Sequence, residues 1–247
     1  MSSYELFASY YDLLTDNVDY AARGAYLHEL LLQYGIADGL LLDLACGTGS
    51  LSVQMAQYGY DVIGVDISPA MLCEAQQKAA DAEKNILFLC QPMQQLDLYG
   101  TVRAVICTLD SLNHLTDPAD LEETIRRAAL FTEPGGVFLF DVNTPYKHRS
   151  VLADNTFVFE TDDVYCVWQN EPLPNDTVQI TLDFFEKEND AYYRSTEQFC
   201  ERAYSLDTFS ALLQKYGFTV AGVWEELTET SPKATTQRVQ FAAIKNN

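Results

Sequence analysis

The sequence predicts an α/β protein built on a mostly parallel sheet, and three observations carry that reading. Strand-like apolar runs alternate with helical ones over the first 145 residues, the signature of strands joined by crossover helices. The first of these runs, LLLDLA at 40–45, passes directly into a glycine turn, CGTG at 46–49. After residue 150 the pattern changes to alternating aromatic and acidic residues, which reads as antiparallel strands.

The segment YAARGAYLHELLLQYG places Tyr20, Gly24, Leu27, Leu31 and Tyr34 on one face at helical spacing and stops on Gly35, a natural C-cap. Strands follow at LLLDLA, DVIGVDI, ILFLCQ, AVICTL and GVFLFDV, with helices starting near Gly49, Pro69 and Pro118. Ser68 caps the second of these helices, and Pro69 occupies its first turn, where a missing N–H costs nothing. The EPGG stretch at 133–136 reads as the turn that closes the fourth crossover.

The next four runs, FVFETDD, VYCVWQNE, TVQITLDFFEKEND and AYYRSTEQFCERAYS, are antiparallel strands with turns at Pro172–Asp176 and Glu188–Asp190. An amphipathic helix, LDTFSALLQKYGF, and two strands, TVAGVWEEL and RVQFAAIK, complete the chain. The expected organisation is one α/β unit formed by residues 1–150 and 203–247, interrupted by an antiparallel insert at 151–202 that serves as a lid or a dimer surface. The aromatic residues of the insert, among them Phe157, Phe159, Trp168 and Phe184, read first as one buried face of a sheet.

Composition narrows the function. With 247 residues, 48% of them hydrophobic, the chain buries a sizeable core as one domain or a domain with an insertion. The start, MSSYELFASYYDLL, has no leader pattern, and no apolar run approaches the ~20 residues of a membrane span. A soluble, cytoplasmic protein is expected, a monomer or a homodimer. The six cysteines are scattered, with no CxxC pair and no histidine at ligand spacing, so reduced thiols and no metal are expected. A formal charge of −21 repels phosphate backbones and anionic lipid, which disfavours nucleic acid and membrane as partners.

The glycine turn after the first strand makes a concave site lined by backbone N–H groups. A dinucleotide fingerprint would need a third glycine, yet GTGSLS puts Ser52 there. Asp43, at the end of the strand, would repel a pyrophosphate and attract a cation. S-adenosylmethionine carries an ammonium and a sulfonium and no phosphate, so its charge suits the turn. Asp66 ends the next strand, 23 residues after Asp43, near the ~20-residue distance of an acid that holds ribose hydroxyls.

LLDLACGTG, VIGVDIS, CTLDSLNHL and GGVFLFDVN together resemble the class I S-adenosylmethionine-dependent methyltransferases. The N-terminal FASYYDLL, the DSLNHL loop, the all-β insert and the closing RVQFAAIK are similar to a bacterial family of small methyltransferases. The resemblance implies a Rossmann-like sheet of seven strands in the order 3-2-1-4-5-7-6, the last antiparallel. It also implies that Ala45, Gly47 and Gly49 meet the methionine part, Asp66 the ribose, and Ile67 and Met71 the adenine. Met93 offers its backbone to the adenine edge, Leu109 lies in the same site, and Tyr11 and Tyr20 are candidates to cover the cofactor. Pro92 stands where many relatives place an aspartate, a loss of ~0.5–1.5 kcal/mol unless Gln91 or Gln94 substitutes.

The reaction implied is an in-line displacement onto a small-molecule acceptor. The substrate-side candidates are Asp110, Asn113 and His114 in the DSLNHL loop and Asp141 and Asn143 in FDVN, with His114 and Tyr11 as the candidate catalytic groups. The alternatives are a non-catalytic binder of the same cofactor and a nicotinamide-dependent oxidoreductase. NTPY at 143–146 is read as a turn, and His148, between Lys147 and Arg149, as part of a solvated connection. An acidic insert, 12 acidic against 3 basic residues over 151–202, favours a neutral or cationic acceptor over an anionic one.

Overall fold

The computed structural model describes residues 18–247; Tyr10 and Tyr11 lie outside the described residues. Helix α1 (Tyr20–Gln33) is capped by Asp19, whose side chain accepts from Ala22 N. It is followed by β1 (Gly39–Leu44), α2 (Ser50–Gln57), β2 (Tyr60–Asp66), α3 (Pro69–Asp81), β3 (Leu87–Cys90) and β4 (Val102–Cys107). Then come α4 (Pro118–Phe131) and β5 (Thr132–Asn143). Ser68 caps α3 ahead of Pro69, as the sequence anticipates, and Asp117 caps α4 in the same way ahead of Pro118.

The main sheet has the order β10-β11-β5-β4-β1-β2-β3, where β10 is Phe218–Glu225 and β11 Arg238–Lys245. Strands β1 to β5 pair in parallel and β11 runs antiparallel to both its neighbours. Counted without the insert, this is the order 3-2-1-4-5-7-6. The central strands are buried on both faces, which is why LLLDLA and AVIC read as continuous apolar runs. On one face Leu42, Val105, Phe138, Phe140 and Phe241 pack with residues of α4 and of α5 (Leu206–Lys215). On the other Leu41, Ile106 and Leu139 pack with Leu27 and Leu31 of α1 and with Met55 of α2.

One turn expected from the sequence is not a turn. Residues 133–136 lie inside β5, where the register jumps from Val102↔Thr132 to Ala104↔Val137. Pro-Gly-Gly here makes a bulge, with Gly135 at φ +78 supplying the left-handed residue it needs.

The insert forms a separate sheet of the order β6-β7-β8-β9: Thr156–Glu160, Val164–Leu173, Thr177–Glu188 and Ala191–Arg202. Every pairing in it is antiparallel. Val164, Cys166, Ile180, Leu182 and Phe184 form its buried face, with Phe157, Phe159 and Trp168 packed against them. Tyr192 and Tyr193 stay exposed. The C-terminal end of β9 fastens this sheet to the main one. Arg202 Nη1 donates to the Thr116 carbonyl at 3.1 Å and Tyr204 Oη to the Leu115 carbonyl at 2.5 Å. Among the described residues no helix is long and apolar enough to cross a membrane, and all six cysteines are free thiols.

Candidate active site

The turn after β1 is shaped by three residues with positive φ, Ala45 (+61), Gly47 (+54) and Gly49 (+75). A Cβ on Gly49 would sit 2.7 Å from that of Ala75, so α3 packs hard against this point. A Cβ on Gly47 would meet nothing within 4 Å, although Gly47 lines a cleft; a side chain there would take room from a ligand. The cleft lies beside the end of β1, and Tyr20, Asp43, Ala45, Gly47, Thr108 and Leu109 contribute to its wall. It opens where β1 and β4 lie side by side with their crossovers leaving in opposite directions, the switch point of a parallel sheet.

Two carboxylates are held at this turn. Asp66 Oδ2 accepts from Gly47 N at 2.9 Å and Oδ1 from Ser68 N at 2.8 Å, which aims the group across the turn. Burial raises its pKa and the two N–H bonds oppose that rise. Asp43 is 2% exposed, and Ser52 Oγ donates to its Oδ2 at 2.5 Å. Burial pushes the Asp43 carboxyl up to about 7 despite that bond. Ser52 was legible in the sequence only as a missing glycine; its hydroxyl is a partner for the acid at the cleft's inner wall.

On the adenine side the expected residues divide. Ile67 is exposed at the rim and Met71 is buried in α3. Gln91 is spoken for: its Oε1 accepts from Asp97 N at 2.9 Å and its Nε2 donates to the Asp97 carbonyl at 3.3 Å. It closes its own loop, and Gln94 lies in the short helical turn Met93–Gln95. Met93 is partly buried against the core.

The residues present fit a cationic sulfur nucleoside. Asp43 lines the cleft and Asp66 is bonded to its Gly47 edge, while the nearby Lys78 ammonium is engaged by the Thr48 and Ser50 hydroxyls at 2.8 Å each. The Gly47 N–H that would meet a phosphate is occupied by Asp66. That donor set suits an ammonium, a sulfonium and ribose hydroxyls, and opposes a pyrophosphate.

Beside the cleft lies an enclosure of charged groups. Leu109 and Asp110 both have φ +54, a conformation that costs a non-glycine residue about 1–3 kcal/mol and persists only when its surroundings hold it. Asp141, at the end of β5, does so: its Oδ2 accepts from Leu109 N at 2.9 Å and its Oδ1 from Asp110 N at 2.8 Å. Arg23 of α1 reaches Asp141 at 3.3 Å and also pairs with Glu226. Arg238, which opens β11, pairs with Asp110 at 2.9 Å and Glu226 at 3.4 Å. Burial alone would raise the Asp110 pKa, but Arg238, followed by Lys147, holds it below the usual carboxylate range.

This arrangement corrects three of the substrate-side expectations. Asp141 is fully buried behind the loop it shapes. Asn113, 0% exposed, is a clamp: its Oδ1 accepts from Asn143 N, and its Nδ2 donates to the carbonyls of Asn143 and Arg202 at 3.1 and 3.0 Å. Asn143 gives its amide to Asp110 and takes Lys147 Nζ at 2.9 Å and Arg238 Nε at 3.2 Å on its Oδ1. These side chains spend their hydrogen bonds on one another. Asp110 and His114 remain nearer the opening, with side chains 17% and 46% exposed.

His148 is a further correction, being 1% exposed instead of solvated. It lies in the helical turns at 145–152, where consecutive side chains point about 100° apart. Arg149 is thereby turned outward to Asp176, and His148 inward. Glu201, near the end of β9 and 5% exposed, joins the enclosure from the insert. Its oxygens lie 3.7 Å from His114 Nε2 and 3.8 Å from His148 Nε2. Burial, reinforced by Asp110, pushes its carboxyl up to about 7. Arg23, Lys147, Glu201, Glu226 and Arg238 were not among the expected site residues. Arg23 alone left a local signal, a charge on the apolar face of the leading helix next to Gly24.

Residues 41–136 match the model of a family described as a methyltransferase domain. Over 245 residues the chain is 34% identical to the Bacillus subtilis (strain 168) protein "Putative methyltransferase YqeM", covering 98% of this chain and 97% of that protein. A crystal structure of an S-adenosylmethionine-dependent methyltransferase from Clostridium acetobutylicum is similar with a TM-score of 0.89 and 27% identity, covering 96% of both chains. The sugar N-methyltransferase KedS8 from Streptoalloteichus shares the fold, with a TM-score of 0.80 at 20% identity over 96% of this chain and 93% of that one.

Proposed function

The chain belongs to the class I S-adenosylmethionine-dependent methyltransferases, in the bacterial family of the Bacillus subtilis protein, and from that premise we propose that it methylates a small, neutral or cationic molecule. It is an enzyme, its cofactor is S-adenosylmethionine, and neither a non-catalytic binder nor a nicotinamide-dependent oxidoreductase is favoured. When bound, the cofactor supplies a methyl group on a sulfonium, ready for displacement.

In this reading Asp43 faces the ammonium, Ala45 and Gly47 give the methionine part room, and Asp66 takes the ribose hydroxyls on the oxygen edges its two N–H partners leave free. Ile67, Met71, Met93 and Gln94 surround the adenine. Tyr20 and Leu109 close the cleft towards the charged enclosure. The acceptor then lies between that wall and the end of β9, with Asp110 and His114 as the side chains exposed to it. Their work is to orient the acceptor, exclude water and, where the acceptor carries a proton, receive it at His114.

The observation that carries the reading is the pair of carboxylates fixed at a turn whose one cationic neighbour, Lys78, is tied to the Thr48 and Ser50 hydroxyls, placed beside a second enclosure closed by another sheet. The acidity of the insert supports a neutral or cationic acceptor. Six free thiols suit a reducing compartment, and we place the protein in a bacterial cytoplasm. The net charge of −21 supports an acceptor other than nucleic acid.

The test is incubation of the purified protein with metabolite extract and methyl-labelled S-adenosylmethionine, read by mass spectrometry. A labelled product that disappears with Asp66→Ala is expected. Absence of any labelled small molecule, alongside normal cofactor binding, would overturn the small-molecule assignment.

A further inference from the structure

His148 and Glu201 meet inside the enclosure with no proton donor evident between them. His148 Nδ1 is 2.8 Å from the Asp176 carbonyl oxygen. A carbonyl only accepts, so Nδ1 carries the hydrogen of the neutral ring and Nε2 presents its lone pair. That Nε2 is buried and has no hydrogen-bond partner among the described residues. It faces Glu201 Oε2 at 3.8 Å, while Oε1 is 3.7 Å from His114 Nε2. A lone pair opposed to a carboxylate in a buried site is repulsive, and one added proton turns the contact into an attraction.

We propose that Glu201 and His148 form a single one-proton site, reached through His114, that receives the proton released when an N–H or O–H acceptor is methylated. The proposal rests on the reading that His114 faces the acceptor. As the acceptor's lone pair bonds to the methyl carbon, the electron pair of the C–S bond leaves on sulfur. The acceptor's proton passes to His114 Nδ1, and the proton on His114 Nε2 moves to Glu201, to be held against His148. Glu201 and His148 act through His114 and are positioning residues.

The surroundings favour that role. Glu201 is also faced by Asp110, Lys147 and Arg238, with the Asn143 amide at 3.5 Å. His148 is faced by Asp110, Lys147 and Asp176. Burial lowers the pKa of His148 and raises that of Glu201, so neither group holds its charge easily and a shared proton relieves both. His114, half exposed and packed at a tilt of 35° against Phe199 of β9 with ring centres 5.2 Å apart, is held at the mouth of this site.

Two measurements test it on the full chain. Nitrogen-15 NMR of the histidine rings between pH 5 and 9 should show one step at His148 Nε2 with Nδ1 protonated throughout. Glu201→Gln, whose amide donates to Nε2 at every pH, should abolish the step. A His148 titration unchanged in that variant would overturn the shared site, whether or not any acceptor has been found. With the labelled-cofactor assay on extract, the wild-type rate should rise with pH to a plateau. Glu201→Gln should lower kcat about 100-fold and lose that rise, with KM and cofactor Kd within about threefold of wild type. His148→Gln should shift the rise and keep the plateau. A Glu201→Gln variant with the wild-type pH profile would overturn the relay while leaving the proposed methyl transfer standing.

Discussion

Ser52 Oγ donates a 2.5 Å hydrogen bond to Asp43 Oδ2 at the inner wall of the cleft. This bond helps keep a buried acid ionised against the rise that burial imposes. A hydrogen bond to a charged group is worth ~1.5–3 kcal/mol. Ser52→Ala is expected to weaken S-adenosylhomocysteine binding about tenfold at pH 7. The loss should be smaller at pH 9, where Asp43 ionises without help. Calorimetry at the two pH values checks this.

Because the Asp43 carboxyl is pushed up to about 7, it is partly protonated near neutrality. Binding an ammonium beside it favours the ionised form, so cofactor binding at pH 6.5 should release a fraction of a proton. Calorimetry in buffers of different ionisation enthalpy reads that fraction directly, and it should approach zero at pH 9. The same group sets a stability trend. The native state holds the Asp43 proton more tightly than the unfolded chain, so the stability this group contributes is present below the unfolded pKa and is lost as pH rises from about 4 to about 7. Asp43→Asn, free of cofactor, should melt above the wild type at pH 8 and bind the cofactor more weakly.

Asn113 joins the loop after β4 to the ends of β5 and β9 through three hydrogen bonds, two of them buried and the one to Arg202 partly so. Asn113→Ala leaves a backbone N–H and two carbonyls without those partners, at about 2–4 kcal/mol. The melting temperature should fall by roughly 4–16 °C. Little loss, together with a raised KM for the acceptor, would return Asn113 to substrate binding.

Pro92 has a backbone φ of −72, which any residue adopts. Restoring an acid by Pro92→Asp should improve cofactor affinity by about three- to tenfold through one hydrogen bond of ~0.5–1.5 kcal/mol. Unchanged affinity would mean that the adenine amino group is already satisfied.

The glycine turn and its two acids were legible because they lie in one short stretch of chain. Asp43, the glycine turn and Asp66 fall within 24 residues, on strands and turns whose ends follow from apolar runs and glycines. The charged enclosure was not, because its bonds cross the chain: Arg23 meets Glu226 over 203 positions and Arg238 meets Asp110 over 128. No local periodicity predicts such pairs. Asp141 and Asn143 fall at the end of β5 and Asn113 in the loop after β4, yet their positions did not reveal which buried partners they bond. EPGG was misread because proline and glycine signal a turn and a bulge alike.

The end of β9 both fastens the second sheet, through Arg202 and Tyr204, and carries Glu201 into the enclosure. On the proposed reading, acceptor preference is therefore not a detachable cassette. A chimera that exchanges only the outer hairpins should inherit a new cover and keep the old proton chemistry. A graft cut after Arg202 would have to bring matching residues at Asn113, His114 and His148. Diversification in such a scaffold is expected to proceed by coordinated substitutions at that seam.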